Sequence, residues 1–141
     1  MISSIEEKDL KEISELILEE FPYVEPFKEK LGQRINEKKV FVFKLVEEKE
    51  LIGFIDFQLR KGIGRINAVT VKKDFRRKGY GSELLKFAVD FLKERNAERI
   101  TLLVKKENLD AKKLYERNGF RVKRELEKRI DDSVIEEMEL M

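Results

Sequence analysis

The sequence predicts an α/β protein: one mixed, mostly antiparallel sheet of about six or seven strands, flanked by about four helices. Three observations predict it. Apolar runs of strand length alternate with short polar turns through the middle and the end of the chain. Two segments, near residues 10–17 and 79–96, carry apolar side chains at helical spacing. A strand, a helix and a second strand also follow one another within about 40 residues, a βαβ unit whose strands should run parallel with a right-handed crossover.

Each element has a local reason. A short strand opens the chain near residues 1–4. Leu10, Ile13, Leu16 and Ile17 then recur at helical spacing, and Pro22 and Pro26 end that helix and bracket a loop. A second, more polar helix is expected over residues 27–38, with Phe27, Leu31 and Ile35 on one side. Residues 40–46 and 51–59 read as a hairpin across the polar turn Glu47-Glu48-Lys49-Glu50. After Lys61-Gly62-Ile63-Gly64, residues 65–72 read as a strand buried on both faces. The longest helix covers 79–96, with Leu84, Leu85, Ala88, Val89 and Leu92 on its inner stripe. Residues 100–104 form another apolar strand. A short helix over 110–118 is closed by Gly119, suited to the left-handed turn that ends helices. Strands over 120–126 and 134–140 finish the chain, joined by a charged loop around Asp131 and Asp132. With no repeat, low-complexity tract or linker, residues 1–141 are expected to form a single domain.

Composition narrows the chemistry. Charged residues make up 43% of the chain, against a usual share of about 25%. The 31 basic and 29 acidic residues leave a net charge of +2, which argues against a protein that coats nucleic acid. Abundant Glu and Lys with no Cys, His or Trp fits a hyperthermophile's surface ion-pair networks. Without cysteine there is no disulfide, thiolate metal site or cysteine nucleophile. Without histidine the commonest general base and metal ligand is missing, and no metal site is expected. No run approaches the roughly 20 apolar residues of a membrane span, and the first residues lack the basic start and apolar middle of a signal peptide. A cytoplasmic location is expected.

The most informative stretch joins the βαβ strand to its helix. Val69-Thr70-Val71 ends the strand, and Arg76-Arg77-Lys78-Gly79-Tyr80-Gly81 leads into the helix at Ser82. Amides from Arg77 to Gly81 can curl around phosphate oxygens at the positive end of the helix dipole. Gly79 and Gly81 let a ligand approach bare backbone, and Arg76, Arg77 and Lys78 add charge. Ser82 adds a hydroxyl at the first turn. A pyrophosphate-bearing cofactor is the natural guest. Two rival motifs fail: Gly79-Tyr80-Gly81 lacks the third glycine of a dinucleotide fingerprint, and no Gly-x4-Gly-Lys-Ser/Thr run exists.

Residues Arg76 to Gly81 match Arg/Gln-x-x-Gly-x-Gly/Ala, the pyrophosphate loop of the Gcn5-related N-acetyltransferases. Residues 108–120, from Asn108 through Ala111, Leu114, Tyr115 and Gly119 to Phe120, resemble that family's second signature, Asn-x-x-Ala-x-x-Leu-Tyr-x-x-x-Gly-Phe. The element order agrees over nearly the whole chain. By pattern the chain is most similar to the protein N-terminal (alanine) acetyltransferases. The resemblance implies the acyl-CoA N-acyltransferase fold and acetyl-coenzyme A as cofactor. It implies that the strand ending at Val69, Thr70 and Val71 parts from the strand over 100–104, so that the pantetheine arm pairs with its backbone. It puts the general acid on Tyr115, which would protonate the departing coenzyme A thiolate. It puts a cofactor contact on Asn108, which could instead cap the helix it begins.

The likeness breaks at the base. Some N-terminal acetyltransferases carry a glutamate where this chain has Leu103. Asp56, Asn67 acting through water, or Glu107 are the substitutes. A base is also dispensable, since a peptide α-amine with a pKa near ~8 is partly neutral at physiological pH, whereas lysine, near ~10.4, needs more help. Direct transfer in a ternary complex, with the Val71 amide stabilising the oxyanion, is the expected path. The acceptor is expected to be a small-molecule or peptide amine, lined by residues 21–31, 40–59 and 128–134. Glu25, Glu29 or the Asp131-Asp132 pair could attract a cationic amine. A homodimer is the only protein partner expected, with neither nucleic acid nor membrane. The alternative reading is a non-catalytic acyl-coenzyme A-binding sensor of the same fold.

Overall fold

The computed structural model describes residues 1–20, 40–130 and 132–141. The expected helix over 27–38 and the loop with Pro22 and Pro26 lie outside them, as do Glu25, Glu29 and Asp131. The strands are β1 (Ile2–Ser4), β2 (Val40–Glu47), β3 (Glu50–Arg60), β4 (Ile63–Val71), β5 (Arg99–Lys105), β6 (Phe120–Ile130) and β7 (Ser133–Leu140). The helices among the described residues are α1 (Leu10–Glu20), α2 (Tyr80–Glu94) and α3 (Leu109–Arg117). One 7-stranded sheet runs in the order β1-β2-β3-β4-β5-β7-β6. β4 and β5 are parallel, as a βαβ crossover requires, and the other neighbours are antiparallel.

The inner stripe of α2 forms the larger core. Leu84, Leu85, Ala88 and Leu92 are fully buried against Ile55, Phe57, Ile66, Ile100 and Leu102. The helix lies so close to the sheet that a Cβ on Gly64 would stand 2.7 Å from Leu92 Cδ1. Phe87 and Phe91 of α2 meet Phe41, Phe43 and Phe57 edge-on, with Phe87–Phe43 ring centres 4.7 Å apart. On the other face α1 sets Ile13 and Leu16 against Val40, Val42, Leu51 and Phe54. Its entry is a capping arrangement in which Glu6 N–H donates to Asp9 Oδ2 at 2.7 Å.

Two expectations change. β6 and β7 extend to Ile130 and Ser133, so most of the segment read as a charged loop is hairpin strand. Pairing across bulges between Glu125 and Arg129 overrides the weak strand preference of its charged residues. β4 is not buried on both faces either. Ile66 and Thr70 are buried, but Asn67 is exposed and Val69 and Val71 are half-buried. The reason is that β4 loses a neighbour partway along.

Candidate functional site

β4 and β5 pair from Ile63↔Arg99 to Ile66↔Leu102 and then separate. Beyond that point β4 continues to Val71 paired only with β3, and β5 continues to Lys105 paired only with β7. A bulge marks the parting. Asp56 opposes Ala68 and Phe57 opposes Ile66, which leaves Asn67 as the extra residue and bends β4. Asn67 Nδ2 donates to Asp56 Oδ1 at 3.2 Å, and Asp56 is buried.

The ladder settles which backbone groups face the opening. Lys72 N–H donates to the Ile52 carbonyl at 2.8 Å. Antiparallel pairs alternate between bonded and non-bonded, so Thr70 turns its backbone toward β3. Val69 and Val71 therefore turn theirs away from β3, into the gap. The Val71 carbonyl accepts from Arg76 Nε at 2.9 Å, which ties the basic loop to the strand end. The Thr70 side chain is buried, and its Oγ1 has no partner among the described residues.

The loop from Arg76 to Ser82 turns through two left-handed residues, Arg77 (φ 63) and Gly79 (φ 87). From Arg77 through Ser82 no backbone N–H donates a hydrogen bond among the described residues; the first that does is Glu83, to the Gly79 carbonyl at 3.0 Å. A row of free N–H groups at a helix start is costly unless solvent or an anion takes it up. A Cβ on Gly79 would meet nothing within 4 Å, so the loop is uncrowded at that point. Arg77, Lys78 and Gly79 are exposed, and Lys78 Nζ lies 5.7 Å from the centre of the Phe75 ring. These groups fit the diphosphate of an acyl-coenzyme A.

Helix α3 packs on the first turn of α2. Leu114 Cδ2 would stand 3.2 Å from a Cβ on Gly81. Asn118 Nδ2 donates to Ser82 Oγ at 3.1 Å and to the Leu114 carbonyl at 2.8 Å. Tyr115, one residue past Leu114, is half-buried with its ring edge-on to Phe120 at 6.2 Å. Burial pushes its phenol up to about 12, so it holds its proton at neutral pH. Lys112 pairs with buried Glu136 of β7 at 2.5 Å and fixes the helix to the sheet. At the far end of α3, Asn108 accepts from Ala111 N–H at 3.2 Å; its oxygen caps the helix.

The structure thus gathers the end of β4, the loop Arg76–Ser82 and the middle of α3 at one corner. Asn108 caps the N-terminal end of α3. Of the candidate bases, Asp56 lies at the bulge, and Glu107 is exposed and accepts from Ser133 Oγ at 2.7 Å. Leu103 faces Glu137 across the β5–β7 ladder. Sequence reasoning missed Asn118, although it directly precedes Gly119 in the second signature. It also missed the bulge at Asn67, which leaves no sequence mark beyond a polar residue in an apolar run.

A model of the acetyltransferase (GNAT) family matches residues 10–120. The N-acetyltransferase YobR of Bacillus subtilis is 32% identical over 88 residues, a stretch covering 62% of this chain and 35% of that protein. The chain thus spans about a third of that relative's length. Among solved structures, the ribosomal-protein-S18-alanine N-acetyltransferase of Escherichia coli superposes with a TM-score of 0.85 at 23% identity, covering 99% of this chain and 92% of that one. Ard1 of Thermoplasma volcanium gives 0.86 at 22% identity, covering 99% and 95%. The PaiA N-acetyltransferase of Thermoplasma acidophilum, in complex with coenzyme A, gives 0.81 at 21% identity, covering 97% and 96%. By its family match, its two signatures and its parted sheet, the chain belongs to the GNAT acetyltransferase family.

Proposed function

We propose that the protein transfers an acetyl group from acetyl-coenzyme A to a primary amine within a ternary complex, a peptide N-terminal amine being the best-suited acceptor. The observation that carries this reading is the unbroken row of undonated amides from Arg77 through Ser82, beside backbone groups of Val69 and Val71 that face an open gap. The cofactor supplies an acetyl group activated as a thioester. The amides of Arg77 to Ser82, with the cations of Arg77 and Lys78, hold its diphosphate, and Val69 and Val71 accept its arm as an added strand.

The acceptor nitrogen forms a bond to the acetyl carbon as the carbon–sulfur bond breaks. The Val71 N–H faces the gap and takes up the charge that develops on the acetyl oxygen. The sulfur leaves with the bonding pair and takes the Tyr115 proton, which solvent then replaces. The surplus proton on nitrogen passes to water. An α-amine with a pKa near ~8 enters partly neutral, which makes a dedicated base unnecessary.

The experiment is thiol release from acetyl-coenzyme A with a panel of peptides and polyamines. Turnover on any amine above the hydrolytic background supports the reading. Tight coenzyme A binding with no turnover on any amine would make the chain a binding module, and no binding would reject both.

A further inference from the structure

The sheet has two faces, and α2, α3 and the amide row occupy one of them. On the group-transfer reading above, an amine must then reach the gap between β4 and β5 from the opposite face. Arg65 projects there, because its neighbours Gly64 and Ile66 lie under α2. It pairs in register with Thr101, one step before the strands part. Leu103, just past that point, opposes Glu137, and Glu137 opposes Arg124. Arg65, Thr101, Glu137 and Arg124, with Arg99 and Lys123, line a cavity of about 380 Å³ next to the point where the strands part.

The cavity is cationic and unfinished. Among its described lining residues four are basic, and Glu137 is the only acid. Glu137 accepts from Arg124 Nε at 3.2 Å and lies 3.6 Å from Arg65. Arg99 and Lys123 lean on Glu139 instead. Two carboxylates therefore share four cations. Thr101 is 2% exposed, yet its Oγ1 has no hydrogen-bond partner among the described residues. Buried hydroxyls are normally satisfied, and this residue lines the same cavity as guanidinium groups that still have donors to spare.

We propose that this cavity binds a carboxylate carried by the acceptor, gripped by Arg65 and Arg124 with the Thr101 hydroxyl as a further donor. Arg65 and Thr101 lie two residues back from Asn67 and Leu103, about 7 Å along the strands at the usual rise. That separation is too long for the α-amine and carboxylate of one free amino acid. It suits a peptide N-terminus whose second residue is Asp or Glu.

The test compares initial rates on peptides identical except for Glu, Gln or Lys at the second position. A KM for the Glu peptide about tenfold below that of the Gln peptide, and lower still relative to Lys, is expected. Arg124→Gln, which leaves Glu137 its Arg65 partner, and Thr101→Val should each bring the kcat/KM ratio of the Glu and Gln peptides to within twofold. Thr101→Val should melt no lower than the parent, so its loss of preference is not a loss of fold. Equal KM values for Glu and Gln, or a preference that survives both variants, would overturn the assignment. Should no amine be acetylated at all, calorimetry with the pre-acetylated Glu and Gln peptides decides independently. Selective binding of the Glu form, weakened in Thr101→Val, keeps the cavity while the enzymatic reading falls; equal or absent binding of both rejects it.

Discussion

Asn118 Nδ2 donates to Ser82 Oγ at 3.1 Å, which joins the last residue of the α3 turn to the first turn of α2. Asn118 belongs to the second signature and Ser82 directly follows the first, so the bond holds Tyr115's helix in register with the amide row. Asn118→Ala removes it and also frees the Leu114 carbonyl. The expected result is a fall in coenzyme A affinity of about three- to tenfold, the worth of one or two hydrogen bonds. Calorimetry checks this, and a Kd within twofold of the parent would deny Asn118 that role.

Tyr115→Phe should lower kcat by about 10² or more while leaving the coenzyme A Kd within about threefold, because in the proposed reaction the hydroxyl serves the leaving sulfur rather than the diphosphate. Burial raises the phenol to about 12. The acid is therefore present at every pH below that, and kcat should show no basic limb from this group below about pH 11. The same shift gives a sign for stability. A folded value above the unfolded one of ~10 leaves stability untouched below pH 10 and erodes it as pH rises toward 12. A phenolate absorbance titration of parent minus Tyr115→Phe should show a midpoint near 12.

Two glycines should separate strain from sterics. Gly79→Ala meets no atom within 4 Å but must hold φ 87, so it costs about 1 kcal/mol of stability. Its methyl group enters the space assigned to the diphosphate, and coenzyme A affinity should fall tenfold or more. Gly53→Ala puts a Cβ 2.6 Å from the Thr70 carbonyl oxygen, which is backbone and cannot step aside. It should lose about 2–3 kcal/mol and displace the strand that carries Val69 and Val71. Urea melts and calorimetry on both variants test the contrast; Gly79→Ala losing more stability than Gly53→Ala would contradict it.

Lys44 Nζ stands 2.8 Å from Asp9 Oδ2, both side chains being nearly buried. Burial alone would raise the Asp9 carboxyl, but the hydrogen bonds from Lys44 and from the Glu6 N–H hold it below its ordinary value of 3.8. A lowered carboxylate contributes stability above the unfolded pKa and loses it as pH falls through the folded one. Asp9→Asn should therefore cost about 2 kcal/mol at neutral pH, and the gap to the parent should narrow as the pH falls below 3.8. Denaturant midpoints at both pH values are the measurement.

The sequence made the βαβ unit legible because its signals are local. Apolar runs mark β4 and β5, the stripe Leu84–Leu92 marks α2, and Gly79 and Gly119 take the left-handed conformations their positions demand. The end of β6 was not legible. Glu127, Lys128 and Arg129 after Leu126 are charged, and only pairing with β7 makes this end strand. Nor could sequence show which charges meet. Lys112 finds Glu136, and Arg65 and Arg124 converge on Glu137, through register across elements distant in the chain. The cap at Asn108 was legible as one of two readings, and its geometry supplies the capping bond directly.

Because only 4 residue pairs join β4 to β5, the sheet is in effect two plates sharing a short seam, one of them carrying β1 to β4 and the other β5 to β7. A guest that lies in the opening and bonds to Val69 and Val71 lengthens that seam. Loading the enzyme is then an act of closure as well as recognition: amide protons on both plates, far from any contact with the guest, should exchange more slowly once it is seated.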